Sequence, residues 1–270
     1  MVDSLVVTWP DNTKSKVFDI RTNQQLTLLS STSKVDNRIF KSDNNSYFKK
    51  DDSKIKYVHI ENLFNDYDKQ VLLPHKLSQF GPAIDVSDVN GDGLEDVYVG
   101  SASGEMSKLF LQSKGGMFLE SKNQPWDRHR ALEDLDAVFF DFDNDGDQDL
   151  YVVSGGNEFS PNSSTYLDRL YANDGLGVFS FKRELLPNIF KSGSVVKPYD
   201  YDNDGDLDLF IGSRMVPWNY PEPASSYLLV NEDGKFIKHK DKNESFKAVS
   251  YTHLRAHETP EHLVCRLLLE

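Results

Sequence analysis

Three nine-residue segments, 88–96 (DVNGDGLED), 141–149 (DFDNDGDQD) and 200–208 (DYDNDGDLD), hold 14 of the chain's 43 acidic residues and begin 53 and 59 residues apart. Carboxylates packed at ~4–6 Å repel one another and push one another's pKa upward, so a fold built around such segments calls for positive charge inside them. Elsewhere 29 acids face 30 bases, and the net charge of −13 therefore belongs to the repeats. That sign argues against nucleic acid as a partner, because a sequence-independent grip on phosphate needs a basic surface. No apolar run approaches the ~20 residues of a membrane-spanning helix, so the chain is not membrane-embedded.

Hard divalent cations take six to eight oxygens, and a loop offering them at positions 1, 3, 5, 7 and 9 wraps one; calcium fits best. The first loop supplies Asp88, Asn90, Asp92, the carbonyl of Leu94, and Asp96. The second supplies Asp141, Asp143, Asp145, the carbonyl of Asp147, and Asp149. The third supplies Asp200, Asp202, Asp204, the carbonyl of Asp206, and Asp208. Position 6 is Gly93, Gly146 or Gly205, where the chain must turn sharply. An isolated DNDG is read equally well as a solvated turn, but three copies in register weigh against that. An EF-hand would need Glu at position 12, and those positions hold Val99, Val152 and Ile211. The neutral Asn90 predicts weaker binding in the first loop than in the other two.

The same interval recurs outside the loops. Each is preceded by a short apolar strand (83–86, 137–140, 195–199) and followed by a β-branched and aromatic one (97–99, 150–153, 209–211). A hairpin comes next in each copy, around Lys114-Gly115-Gly116, Asn173-Asp174-Gly175 or Glu232-Asp233-Gly234. Four strands per repeat and a period near fifty-five residues predict an all-β fold, a partial β-propeller of stacked four-stranded blades.

The loops, together with Phe80-Gly81-Pro82-Ala83, Ser154-Gly155-Gly156-Asn157-Glu158 and Asp168-Arg169-Leu170-Tyr171, resemble the FG-GAP/VCBS repeat proteins. The blades of that family carry the DxDxDG calcium loop also found in integrin α-subunit propellers. The likeness covers roughly residues 57 to 248. Residues 1–30, with Leu5-Val6-Val7-Thr8-Trp9-Pro10-Asp11, look like the end of an ASPIC/UnbV module, which accompanies such repeats in proteins similar to cartilage acidic protein and in large bacterial surface proteins. The resemblance implies secretion and binding, with no settled enzymatic activity. The domain reading is module 1–30, linker 31–56, three blades 57–249, and a tail 250–270 resembling translated adapter sequence. Three blades are fewer than the four to eight that close a propeller, so the chain reads as a fragment. The single cysteine, Cys265, lies in that tail and leaves no internal disulfide.

With a Kd of ~0.1 mM and millimolar free calcium, each site adds about 1.4 kcal/mol of stability and three add ~4, which places the protein outside the cell. The expected role is a non-catalytic, calcium-stabilised binding or adhesion module for a protein or glycan. Its longest inter-strand loops offer Glu158, Phe159, Arg214, Trp218 and Tyr220 as ligand-binding candidates. A nucleophile elbow, P-loop, Rossmann fingerprint and HExxH are all missing from the sequence. A polysaccharide-degrading enzyme and an architectural spacer remain alternatives.

Overall fold

The computed structural model describes residues 2–9, 13–21, 26–29, 34–35, 54–241, 243 and 246. The chain divides into two compact units, Met1–Asp51 and Asp52–Glu270. In the first unit β1 (Val2–Thr8), β2 (Thr13–Ile20) and β3 (Lys34–Val35) form an antiparallel sheet in that order. Its turn is closed by a bond from the Trp9 amide to the Thr13 carbonyl, and the Trp9 indole donates to Ser15 Oγ at 2.8 Å. β3 falls within the stretch expected to be a linker; most of that stretch, and the whole tail 250–270, lie outside the described residues.

The second unit contains three four-stranded antiparallel meanders. The first comprises β4 (Ile84–Ser87), β5 (Asp96–Val99), β6 (Lys108–Gln112) and β7 (Phe118–Ser121). The second comprises β8 (Asp134–Phe140), β9 (Asp149–Ser154), β10 (Arg169–Ala172) and β11 (Ser180–Phe181). The third comprises β12 (Val195–Tyr199), β13 (Asp208–Gly212), β14 (Tyr227–Glu232) and β15 (Lys235–Lys238). The expected blades are therefore present in the expected order, and each acidic segment joins the first and second strands of its sheet. The leading strands are neighbours, β8 touching both β4 and β12, as in blades stacked about a common axis. No helix among the described residues is long and apolar enough to cross a membrane.

Sheets of this size bury both faces only by stacking, and two apolar layers result. Between the first and second sheets, Tyr98, Leu109, Phe139, Leu150 and Tyr171 enclose Trp126, which meets Tyr98 and Tyr171 edge-on at 5.4 and 5.5 Å. Between the second and third, Phe140, Tyr151, Val153, Leu209, Ile211 and Tyr227 interdigitate. Close approach is enforced at Gly155, where a Cβ would stand 2.3 Å from Leu135 Cδ1 and 2.4 Å from the Gly193 carbonyl. β8 starts three residues before the expected strand because two acidic residues there are used internally. Asp134 is fully buried against Arg169 at 2.5 Å, and Asp136 accepts the Val196 amide of the next sheet at 2.9 Å.

Asp134 also accepts from Tyr98, Ser101 and Ser107, so a single ion pair gathers donors from the first sheet and its guanidinium from the second. Asp168 does the same one sheet later, taking the hydroxyls of Tyr151 and Tyr227 at 2.9 and 2.7 Å. Arg169→Leu, which strands Asp134 as an uncompensated buried charge, is expected to cost about 3–5 kcal/mol. Trp126→Ala, which empties the first interlayer, is expected to cost a similar amount, about 3–5 kcal/mol. Urea unfolding followed by far-ultraviolet dichroism measures both; a loss below 1 kcal/mol in either would contradict the stacked arrangement.

Candidate metal sites

Within each acidic loop the chain turns on itself by the same local bonds. The position-1 carboxylate accepts the glycine amide of position 6: Gly93 to Asp88 at 2.7 Å, Gly146 to Asp141 at 2.9 Å, and Gly205 to Asp200 at 3.2 Å. The position-5 carboxylate accepts the amide of position 7, at 2.9 Å in all three loops. The glycines have φ of +82, +93 and +100°, a region closed to most side chains. Position 4 is left-handed as well, occupied by Gly91, Asn144 and Asn203, residue types that tolerate it.

The position-9 aspartates open the second strand of each sheet and are 0–1% exposed. Each uses both oxygens. Asp96 takes the amides of Val89 and Gln112, Asp149 those of Phe142 and Asn173, and Asp208 those of Tyr201 and Asn231, at 2.7–3.1 Å. One oxygen thus fixes position 2 of the loop and the other fixes the end of the third strand. The side chains of Asn173 and Asn231 then reach back a blade, donating to the carbonyls of Val89 at 2.8 Å and Phe142 at 2.7 Å. A continuous chain of hydrogen bonds runs from Asp96 through Val89, Asn173, Asp149, Phe142 and Asn231 to Asp208. Sequence reasoning assigned Asn173 to a turn and did not single out Asn231; the signal was an Asn at the same place in two hairpins.

The side chains converge unequally. One oxygen from each of Asp141, Asp143, Asp145 and Asp149 lies within 4.8 Å of the others, and the same holds for Asp200, Asp202 and Asp208. In the third cluster Asp200 Oδ1 is shut off from solvent and has no hydrogen-bond donor. An orphaned acceptor among convergent carboxylates fits a hard, oxygen-seeking cation, and these residues would hold calcium. The ion would supply the positive charge that the carboxylates otherwise lack. In the first loop, Asp88, Asp92 and Asp96 form no comparable cluster among the described residues. Asp88 is instead engaged by the amides of Gly91, Asp92 and Gly93. Position 7 was expected to contribute only its carbonyl; of its side chains, the Asp147 carboxylate stands beside Gly175, and that of Asp206 accepts Asn144 Nδ2 at 2.7 Å.

The other candidates occupy the opposite end of the blades, where second strands lead into third strands. Trp218 donates its indole N–H to the Asn157 carbonyl at 2.9 Å and its amide to Asn157 Oδ1 at 3.1 Å, with Lys69 over its ring. Arg214 stacks 3.8 Å from the Phe80 ring, Phe159 packs edge-on against Tyr166, and Tyr220 is 48% exposed. Glu158 accepts the Asn157 amide and points inward. A cleft of about 320 Å³ lies nearby, lined by Asn162, Phe190, Lys191, Met215, Asn219 and Glu222 among others. None of these had been chosen from the sequence, since they come from two loops and a connector that only the stacking of blades brings together.

Burial, followed by the neighbouring carboxylates after offsetting amide bonds, pushes Asp149 up to about 7 and raises Asp96 and Asp208 above the ordinary carboxylate value. Groups raised in the folded state stabilise it when protonated, so the ion-free protein is expected to lose stability as pH rises from about 4 to about 7. Calcium needs the ionised form, and its apparent affinity is expected to fall about tenfold per pH unit for each competing proton below 7. Melting scans in calcium and in chelator should therefore diverge at pH 8 and converge at pH 5; a constant gap would contradict ion binding at these carboxylates. Asn173→Ala removes the link to Val89 and is expected to cost about 1–3 kcal/mol in calcium and chelator alike, read by the same scans.

The family model of the FG-GAP-like repeat matches residues 88–152 and 141–211. Each match opens on the first aspartate of an acidic loop, passes through the next loop, and ends in the strand beyond it. A search of curated proteins finds no match. The segment 88–211 is thus similar to the FG-GAP-like repeat in two overlapping stretches, which run through the same acidic loops that form the candidate metal sites.

Proposed function

We propose that this chain is part of a calcium-stabilised β-propeller that works outside the cell as a non-catalytic binding or adhesion module, recognising a protein or glycan. The observation that carries the proposal is the convergence of the carboxylates in the second and third loops, with an orphaned oxygen at Asp200 in the third, placed where position 9 fastens each blade to itself and, through Asn173 and Asn231, to its neighbour. Weak loops of this kind fill at the millimolar calcium of extracellular fluids and not at cytosolic levels. FG-GAP-like propeller units are typically non-catalytic, which favours binding over catalysis. Residues 1–30 are assigned to the end of an ASPIC/UnbV-like module of a bacterial surface protein on the strength of the opening strand.

The cleft by Phe190 is the assigned ligand position. Its volume falls in the range of small-molecule and glycan subsites, and it sets a ring beside amide and charged groups, the combination that binds a sugar. Arg214 and Tyr220 belong to the same loop-bearing end, whereas Trp218, bonded through both its nitrogens, serves to hold that end together.

Retention on a panel of polysaccharides and extracellular-matrix proteins tests this. The protein is expected to be retained in calcium and released by chelator, and Phe190→Ala is expected to weaken retention at least tenfold with the melting curve unchanged. Depolymerisation of a polysaccharide would overturn the assignment in favour of an enzyme, and neither retention nor cleavage would leave an architectural spacer.

A further inference from the structure

Position 4 of the first acidic loop is Gly91, where the other two loops have Asn144 and Asn203. Asn90 precedes it, so this loop contains the one Asn-Gly pair in the sequence. Packing does not demand the glycine. Its φ of +71° is close to the +59 and +62° of Asn144 and Asn203, and beyond its chain neighbours a Cβ there would come no nearer than 4.0 Å to any atom. What the missing side chain changes is access to the Gly91 nitrogen, which is left unshielded. Asn90 is half-buried and Gly91 exposed, so water reaches the pair.

Three hydrogen bonds surround this peptide. The Gly91 amide donates to Asp88 Oδ1 at 2.9 Å. Asn90 Oδ1 accepts the Asp92 amide at 3.1 Å, and that amide also donates to Asp88 Oδ1 at 3.2 Å. The bond to Asn90 Oδ1 folds the side chain back over the peptide that follows it, in the sense that carries Cγ toward the Gly91 nitrogen. The bond to Asp88 aims the nitrogen's proton at a carboxylate, within reach of a general base. The Asp92 N–H points at the oxygen on which negative charge develops when Cγ is attacked. Nucleophile, base and oxyanion donor thus lie between Asp88 and Asp92.

We propose that Asn90-Gly91 is a self-modification site, at which the loop converts its own asparagine through a cyclic imide into aspartate and isoaspartate. The Gly91 nitrogen bonds to Asn90 Cγ as its proton passes to Asp88 Oδ1. The Cγ–Nδ2 bond then breaks, Nδ2 takes that proton, and ammonia departs. Water opens the imide at Cγ to give aspartate, or at the Asn90 main-chain carbonyl carbon to give isoaspartate, and returns a proton to the Gly91 nitrogen. Nothing is oxidised or reduced, and water is the sole co-reactant. Positions 5 and 6 supply an internal contrast. In all three loops the position-6 glycine amide donates to the position-1 carboxylate and the position-5 side chain folds back on position 7, but that side chain is aspartate, whose carboxylate carbon resists attack. The aspartyl product gives position 3 the side chain that Asp143 and Asp202 supply in the other loops. The isoaspartyl product lengthens the main chain by a methylene inside a tight turn. The site is independent of the ligand-binding role proposed above and stands or falls separately.

Incubation of the whole chain at neutral pH in chelator, followed by peptide mass spectrometry, tests it. Conversion of amide to acid raises the mass of the peptide containing Asn90, and an isoaspartyl methyltransferase labels the isoaspartyl product. Asn90 is expected to convert ahead of every other asparagine, and faster in the folded chain than in urea, where the three bonds are absent. Asp88→Asn, which keeps an oxygen for the Gly91 amide but cannot take its proton, is expected to slow conversion about tenfold or more. Gly91→Asn, which installs the residue of the other loops, is expected to stop conversion and leave the melting curve unchanged. The proposal is overturned if Asn90 keeps its amide, if the urea-unfolded chain converts as fast as the folded one, or if Asp88→Asn leaves the rate as it was.

Discussion

Burial of the position-9 aspartate is the constraint on which the rest of this structure depends. A carboxylate at the mouth of a strand, nearly without solvent, can persist only if its oxygens are satisfied. Asp96, Asp149 and Asp208 achieve this by drawing in one amide from their own loop and one from the third strand of the same sheet. The same carboxylate thereby decides where the loop begins, where the second strand starts and how the hairpin is registered. In Asp149 and Asp208 it also belongs to the convergent oxygens that suit a cation, so loop closure and ion affinity are not separable properties.

The blades are held to one another by two kinds of contact of different reach. Interdigitated aromatic and aliphatic side chains supply most of the free energy, at about 25 cal/mol per Å² of apolar surface removed from water. Directional bonds then set the angle and height of each sheet. The Asp134–Arg169 pair and the Asp168 cluster act within the layers, and Asn173 and Asn231 act at the loop end. The leading strands are tied as well, Asp85 accepting the Phe139 amide at 2.6 Å and Asp136 that of Val196. Apolar packing alone would allow sheets to slide; buried polar bonds cost too much to break for that to occur.

Much of this was legible from sequence because the repeats are short-range. Loop, following strand and hairpin lie within about forty residues, and each is specified by local chemistry: glycine where φ is positive, β-branched residues where both faces are covered, Asn-Asp-Gly at a turn. The start of β8 was not legible, since Asp134 and Asp136 look like solvated residues until Arg169 and Val196, 35 and 60 residues away, are brought against them. Trp218 shows the same long reach. An aromatic residue in a long loop suggests an exposed anchor, yet its two nitrogens are spent on Asn157, 61 residues distant. The cleft by Phe190 draws on segments that no local pattern relates.

Position 7 of the acidic loop is filled by Leu94, Asp147 and Asp206, and its side chain belongs to neither convergent carboxylate cluster. The side chain is consequently exempt from the chemistry that fixes every other odd position. In the third copy that exemption is used for a bond to Asn144 of the preceding copy, and in the second for a contact with the Gly175 turn. A tandem array faces the problem of near-identical units exchanging places during folding. One unconstrained position in an otherwise obligatory motif lets each unit turn that side chain to different surroundings, its own hairpin turn in one copy and the preceding copy in another.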